Sequence, residues 1–326
     1  MGDLLPRTLL SIKDLRVYYE TIRGYVKAVD SVDLEIYEGE SFCLIGETGC
    51  GKSTLALAIP RLLPPNARIL SGSIMFKNID LLKLSDSELE EIRGRDIAVV
   101  FQNPMSSLNP VLRIGLQVGE PLVAHFKTPW REALISAIKQ LSRVGIPDPH
   151  LRSKDYPHAF SGGMKQRSMI AMMTSCKPSL LIADEPTTAL DVTIQAQVLR
   201  LIRELKEEYG LTLLLITHNF GIVAEMCDRV GVMYAGKLVE VGNVIDIFES
   251  PLHPYTKGLI ECVIARRKSK SRLSQIPGAP PSLINPPGGC RFHPRCLYAT
   301  SKCTSEEPGL IEVSREHLVA CHNYVR

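Results

Sequence analysis

Residues 46–53 read Gly46-Glu47-Thr48-Gly49-Cys50-Gly51-Lys52-Ser53. A glycine, four variable residues and then Gly-Lys-Ser form a phosphate-loop pattern. The glycines let backbone N–H groups curl around phosphate oxygens. Lys52 reaches the β- and γ-phosphates, and the Ser53 hydroxyl suits Mg²⁺. Upstream, residues 41–45 are a short apolar run. Downstream, residues 53–63 carry a helical pattern closed by Pro64-Pro65. A strand, a glycine loop and a helix in that order are what such a loop needs, and the helix start adds its positive dipole end to the anion site.

Outward from the loop, residues 9–20 read as a strand and residues 26–37 as a second strand pair with a turn. Residues 73–76 and 97–101 read as further strands. From Asn103 to Ser179 the pattern is mostly helical, interrupted at Pro104, Pro110, Pro121, Pro147 and Pro157. Strand signals return at residues 180–183 and 211–217, on either side of an amphipathic run over 192–208. A β-rich piece over 229–241 holds the turn Ala235-Gly236-Lys237. Apolar strands alternating with helices predict an α/β fold with a parallel sheet covered by helices.

Two further motifs bear on chemistry. Leu180-Leu181-Ile182-Ala183-Asp184-Glu185 is an apolar strand ending in two carboxylates. Asp184 is expected to hold Mg²⁺ and Glu185 to polarise an attacking water. Phe160-Ser161-Gly162-Gly163-Met164-Lys165-Gln166-Arg167 offers exposed N–H groups, a hydroxyl and a helix start, a second anion site.

Together these motifs resemble the nucleotide-binding subunit of an ABC transporter over residues 9–245. Lys52 and Ser53 match that family's P-loop, within Gly46, Gly49, Cys50, Gly51 and Thr54. Gln102 in VVFQNP matches the Q-loop and Ser161-Gly162-Gly163 the signature. Asp184-Glu185 match the Walker B pair, Ala189-Leu190-Asp191 the D-loop, and His218 in LLITHN the switch histidine. Tyr19 stands where the family places an aromatic on adenine. Phe160 and Met164 replace the Leu and Gln common in the signature, and Asn219 replaces a common Asp; none of the three supplies phosphate-contacting groups.

The resemblance implies a P-loop NTPase (RecA-like) core with an antiparallel β subdomain and a helical subdomain at about 103–179. It implies two subunits sandwiching two ATP molecules, each site taking its signature from the partner. Ser161 and Gly163 would then contact the γ-phosphate across the dimer, His218 would hold the water and Glu185, and Gln102 would sense Mg²⁺ and signal to a membrane partner. Catalysis by positioning and charge neutralisation suits that design.

The remainder, 251–326, resembles the tail of the oligopeptide and dipeptide importer branch, which includes nickel importers. The matching stretches are His253-Pro254-Tyr255-Thr256, Ile276-Pro277-Gly278-Ala279-Pro280-Pro281 and Cys290-Arg291-Phe292-His293-Pro294-Arg295-Cys296. The FSGGM form of the signature is usual in that branch too. The implied partners are a second ATPase subunit (the same chain or a related one), transmembrane permease subunits and, indirectly, an extracytoplasmic peptide-binding protein. The implied place is the cytoplasmic face of the membrane.

Four of the nine cysteines, Cys290, Cys296, Cys303 and Cys321, crowd this tail. Four thiolates bind Zn²⁺ or a [4Fe–4S] cluster. Neither the short knuckles of structural zinc nor the usual ferredoxin spacings are present. A [4Fe–4S] cluster bracing a small Cys-rich C-terminal module is the first expectation, zinc the second, and free or disulfide thiols the third. The other five cysteines read as packing residues. The basic run over 266–272 reads as a solvated linker before anionic-lipid contact.

Composition sets the outer limits. The chain has 326 residues, and 38 Lys+Arg against 35 Asp+Glu leave a net charge of +3. That balance argues against a nucleic-acid binder. No secretory signal, myristoylation signal or membrane-spanning run is visible, so a cytosolic setting with reduced thiols is expected. Two other classes would leave different signs. A soluble ABC ATPase acting on nucleic acid or the ribosome would usually carry two cores or long coiled-coil insertions. An iron–sulfur sensor with ATP secondary would tolerate loss of Lys52.

Overall fold

The computed structural model describes residues 7–102, 107–188, 191–267 and 276–324. They fall into two compact units: Met1–Leu82 with Ile216–Arg326, and Lys83–Leu215.

The first unit opens with β1 (Thr8–Thr21) paired antiparallel to β2 (Gly24–Tyr37). The turn expected inside β2 is instead a bulge. Pairing slips between Leu15↔Val32 and Val17↔Val29, and Ser31 stands at φ 57. A bulge absorbs the extra residue without ending the strand. β3 (Ser41–Ile45) is buried at all five positions, as a parallel strand covered on both faces must be. The phosphate loop leads from β3 into α1 (Lys52–Ala58). This helix stops short of residue 63 because Pro60 has no N–H for the next bond. β4 (Ala67–Phe76) and β5 (Ile79–Asp80) complete a sheet of order β2-β1-β4-β5.

The second unit begins with α2 (Asp86–Ile92), closed at its start by a capping box between Ser85 and Glu88. Then come β6 (Ile97–Val100), α3 (Ile114–Phe126), α4 (Trp130–Arg143), α5 (Pro149–Arg152) and α6 (Gly162–Thr174). β7 (Leu180–Asp184), α7 (Val192–Tyr209) and β8 (Thr212–Ile216) follow. β6 and β7 run parallel, from Ile97↔Leu180 to Val100↔Ala183, and the strand order is β8-β7-β6. α4 buries Ala133, Ala137 and Leu141, four residues apart on one face. The expected helical region begins at residues outside the described ones, 103–106; so do Ala189 and Leu190 of the D-loop.

The chain then returns to the first unit through α8 (Phe220–Met226), β9 (Arg229–Tyr234), β10 (Lys237–Asn243), α9 (Val244–Glu249) and α10 (Pro254–Arg267). Last are α11 (Ser301–Ser305), β11 (Ile311–Ser314) and β12 (His317–Val319). β9 lies parallel to β3, and the order is β11-β12-β10-β9-β3. Ala235 and Gly236, at φ 47 and 82, make the tight β9–β10 turn. The expected basic linker starts as helix, since α10 runs to Arg267; its remainder, 268–272, lies outside the described residues.

A separate Cys-rich terminal module is not supported. The last residues belong to the unit that holds the phosphate loop. β12 pairs with β10 at Val241↔Leu318, so the tail extends a core sheet. Among the described residues no helix is long and apolar enough to cross a membrane.

Candidate nucleotide site

β3 delivers the chain to Gly46, and α1 takes it away at Lys52. Both turning points require glycine. At Gly46 (φ 148) an added Cβ would stand 2.1 Å from the Met233 carbonyl oxygen; at Gly51 (φ 109) it would stand 2.0 Å from that of Ala28. The backbone is therefore packed directly under the loop. Lys52 is buried and folds back across the loop. Its Nζ donates to the carbonyls of Gly46 (2.8 Å) and Glu47 (3.0 Å) and to Cys50 Sγ (3.6 Å). Ser53 is exposed beside it. The Tyr19 hydroxyl shares a 3.0 Å hydrogen bond with Thr54 Oγ1, which fixes Tyr19 against α1. His218 is exposed just past β8, where Asn219 caps α8 by accepting the Gly221 N–H at 2.9 Å.

The same unit contains residues that sequence reading passed over. The Glu47 N–H donates to the Tyr255 hydroxyl (2.8 Å), and the Glu47 carboxylate receives both terminal nitrogens of Arg295 (2.7 and 3.1 Å). Arg291 donates to Asp30 and to the Ala235 carbonyl. Asp30 also accepts the Tyr18 hydroxyl at 2.7 Å. Burial pushes the Tyr255 hydroxyl far above its ordinary pKa and lowers His253 to about 4. The only signal was the tail motifs themselves, which gave no hint that they face the phosphate loop.

The second unit holds the carboxylates and the signature. Asp184 ends β7, buried. Glu185 follows at φ 45, a left-handed conformation costly for a side chain with Cβ. One of its oxygens accepts from Gln102 Nε2 (3.0 Å) and Thr188 Oγ1 (2.9 Å). Ser161 caps α6 by accepting the Met164 N–H at 3.3 Å. At Gly163 a Cβ would meet Ile194 Cγ2 at 2.9 Å, so α6 lies tight against the start of α7, where Asp191 is the N-cap residue. Gln166 donates to the Pro186 carbonyl (2.7 Å), and Gln195 to Thr187 Oγ1 (2.9 Å). These bonds tie signature, Walker B end and D-loop helix into one frame. Each unit offers an oxygen donor of its own, the Ser53 hydroxyl in the first and the Asp184 carboxylate in the second. Oxygen donors of that kind suit a hard ion such as Mg²⁺.

The tail cysteines require a correction. Cys290, Cys296, Cys303 and Cys321 do line one cavity, but its volume is about 10 Å³, less than one water needs comfortably. Among the described residues no group of three or more His, Cys, Asp or Glu is arranged to hold a metal ion. Burial pushes the thiols of Cys290 and Cys296 up, and that of Cys321 up to about 11. Cys303 Sγ is engaged by Thr300 Oγ1 at 3.4 Å. The [4Fe–4S] cluster and its zinc alternative are thus not supported, nor are these four residues as ligands. All nine cysteines are outside disulfides.

Comparison with known proteins shows the family. Residues 29–188 match the ABC transporter family, and residues 239–303 match the oligopeptide/dipeptide transporter C-terminal region. The chain is 49% identical to the dipeptide transport ATP-binding protein DppD of Bacillus subtilis, over 96% of this chain and 94% of that protein. It is 45% identical to the oligopeptide transport ATP-binding protein OppD of Escherichia coli, over 96% and 92% respectively. Among solved structures, the dimeric post-hydrolysis cassette MJ0796 bound to ADP and Pi superposes with a TM-score of 0.65 at 27% identity, over 72% of this chain and 98% of that one. The chain belongs to the ABC transporter family, as an ATP-binding and hydrolysing subunit.

Proposed function

We propose that this chain hydrolyses ATP to drive uptake of dipeptides or oligopeptides through separate membrane permease subunits. The observation that carries the peptide reading is the tail. The region matching oligopeptide/dipeptide transporters, residues 239–303, contains Arg295, which holds Glu47 in the phosphate loop, and the chain just beyond it supplies β12 to a core sheet. A tail so attached is a working part of this ATPase, and the relatives that share it are named for peptide transport.

In this reading the loop N–H groups and Lys52 take the phosphates, which requires Lys52 Nζ to exchange a carbonyl partner for a phosphate oxygen. Tyr19 lies beside the adenine. Ser53 and Asp184 would hold Mg²⁺, with Gln102 sensing it, and the ion would supply neutralisation of phosphate charge. Glu185 accepts the proton of the attacking water, with Gln102 and Thr188 orienting its carboxylate. His218 stands at the γ-phosphate. Ser161, Gly162 and Gly163 complete the site of a second ATPase subunit, with Asp191 at the dimer contact, so hydrolysis is tied to closure. The subunit works at the cytoplasmic face of the membrane beside its permease, fed by an extracytoplasmic binding protein, with no nucleic-acid partner.

The test is ATP-driven uptake of labelled di- and tripeptides into vesicles carrying the native permease. Uptake that needs this chain and is lost in Lys52→Ala supports the reading. Vesicles that accumulate peptide equally without the chain would refute it.

A further inference from the structure

Glu47 places a carboxylate within an anion-binding loop. It directly follows Gly46, and its carboxylate puts a negative charge beside the place where phosphates bind. Every polar group of this residue is committed. Its N–H goes to Tyr255, its carbonyl to Lys52, and its carboxylate to Arg295 in a two-pronged pair.

Arg295 is built for this task. Its side chain is 5% exposed, against 26% for Glu47. Its Nε donates to the Pro277 carbonyl at 2.8 Å, and one terminal nitrogen also reaches the Tyr234 hydroxyl at 3.3 Å. The guanidinium lies 5.8 Å from the Tyr234 ring centre and 6.0 Å from that of Phe292. A planar fork held on all sides is the geometry that fixes a carboxylate rather than merely attracting it.

We propose that Arg295 is a positioning residue for ATP binding: it neutralises the Glu47 carboxylate at the first turn of the phosphate loop, so the C-terminal tail sets the nucleotide affinity. The inference rests on residues 46–53 being the ATP site. Without the arginine, the Glu47 charge acts on the incoming phosphates through partly desolvated surroundings, where screening is weak.

The test is Mg·ATP binding to the full-length chain by calorimetry, with ATPase kinetics in parallel. Arg295→Ala is expected to weaken ATP binding about tenfold and to raise KM, while kcat at saturating ATP stays within about twofold. Glu47→Gln removes the offending charge, so it should bind ATP at least as tightly as the parent. Combined with Arg295→Ala, it should restore most of the lost affinity. A brace of purely structural value gives the opposite pattern, with the double variant no better than Arg295→Ala; that result overturns the proposal. If Arg295→Ala does not fold, Glu47→Gln alone decides, because weaker ATP binding by that variant contradicts charge neutralisation. Lys52→Ala separates the two levels. Undiminished ATP binding by Lys52→Ala defeats the site itself, whereas loss there with none in Arg295→Ala defeats only the role of the tail.

Discussion

Glu185, the proposed base, is a carboxylate carried on a left-handed backbone at φ 45. Its chemistry and its strain can be separated by three substitutions. Glu185→Ala and Glu185→Gly both delete the carboxylate and both release Gln102 and Thr188, so those losses cancel between them. They differ in the backbone. A residue with Cβ in this conformation costs about 1–2 kcal/mol. Glycine escapes that cost but loses about 0.5–1 kcal/mol more chain entropy on folding. The net expectation is that Glu185→Gly is more stable than Glu185→Ala by about 1 kcal/mol. Glu185→Gln keeps the shape and the acceptor oxygen, so its stability should match the parent while ATP turnover falls at least about 10²-fold. Urea unfolding with linear extrapolation measures the first two, and phosphate release measures the third. An alanine variant as stable as the glycine variant would show that residue 185 is not held left-handed in solution. A glutamine variant with parental turnover would remove Glu185 from the chemistry.

Three further outcomes follow from the first unit. Gly51→Ala forces a Cβ to within 2.0 Å of the Ala28 carbonyl, so ATP affinity should fall more than about tenfold with far-ultraviolet dichroism little changed; parental affinity would mean the loop is looser than described. Asp30 is pushed up by burial, but the Tyr18 hydroxyl and the charges of Lys237 and Arg291 outweigh this and hold it below the usual aspartate range. A depressed acid stabilises above its unfolded pKa of about 3.9 and loses that contribution as pH falls through its folded value. Asp30→Asn should therefore cost about 2 kcal/mol at pH 7 and progressively less below pH 4, as read by denaturant melts at each pH. Finally, burial pushes up the thiols of Cys290, Cys296 and Cys321, so iodoacetamide at neutral pH should label them slowly in the folded chain and fast in urea; mass spectrometry of the peptides reports both rates.

The parts legible in the sequence were those whose signal is local. Gly46, Gly51 and Lys52 announce their geometry because a loop around phosphate tolerates little else. β3, β7 and β8 could be read because each is a short apolar run with both faces covered. Ser161 beside a helix start could be read because the hydroxyl stands directly before the helix, three residues from the Met164 N–H it accepts. What stayed hidden depends on distant partners. The bulge at Ser31 follows from pairing with β1, and residues 26–37 alone do not determine it. The tail looked like a separate module because its prolines and cysteines suggest one, yet Arg291 and Arg295 reach Asp30 and Glu47. Four clustered cysteines suggested a cluster because spacing says nothing about how buried the thiols are.

The unit that binds phosphate is assembled from both ends of the chain, and this has a consequence for how the protein is made. The second unit, Lys83–Leu215, is continuous and leaves the ribosome as a whole. The phosphate loop emerges much earlier than the residue that clamps it, since Arg295 lies 248 positions after Glu47. At about 5–20 residues per second, the delay is roughly 10–50 seconds. During that interval the nascent chain carries an unbraced loop with an unneutralised glutamate, poorly suited to hold ATP. On the role proposed for Arg295, full nucleotide affinity is reached only once residue 295 has emerged and paired with Glu47.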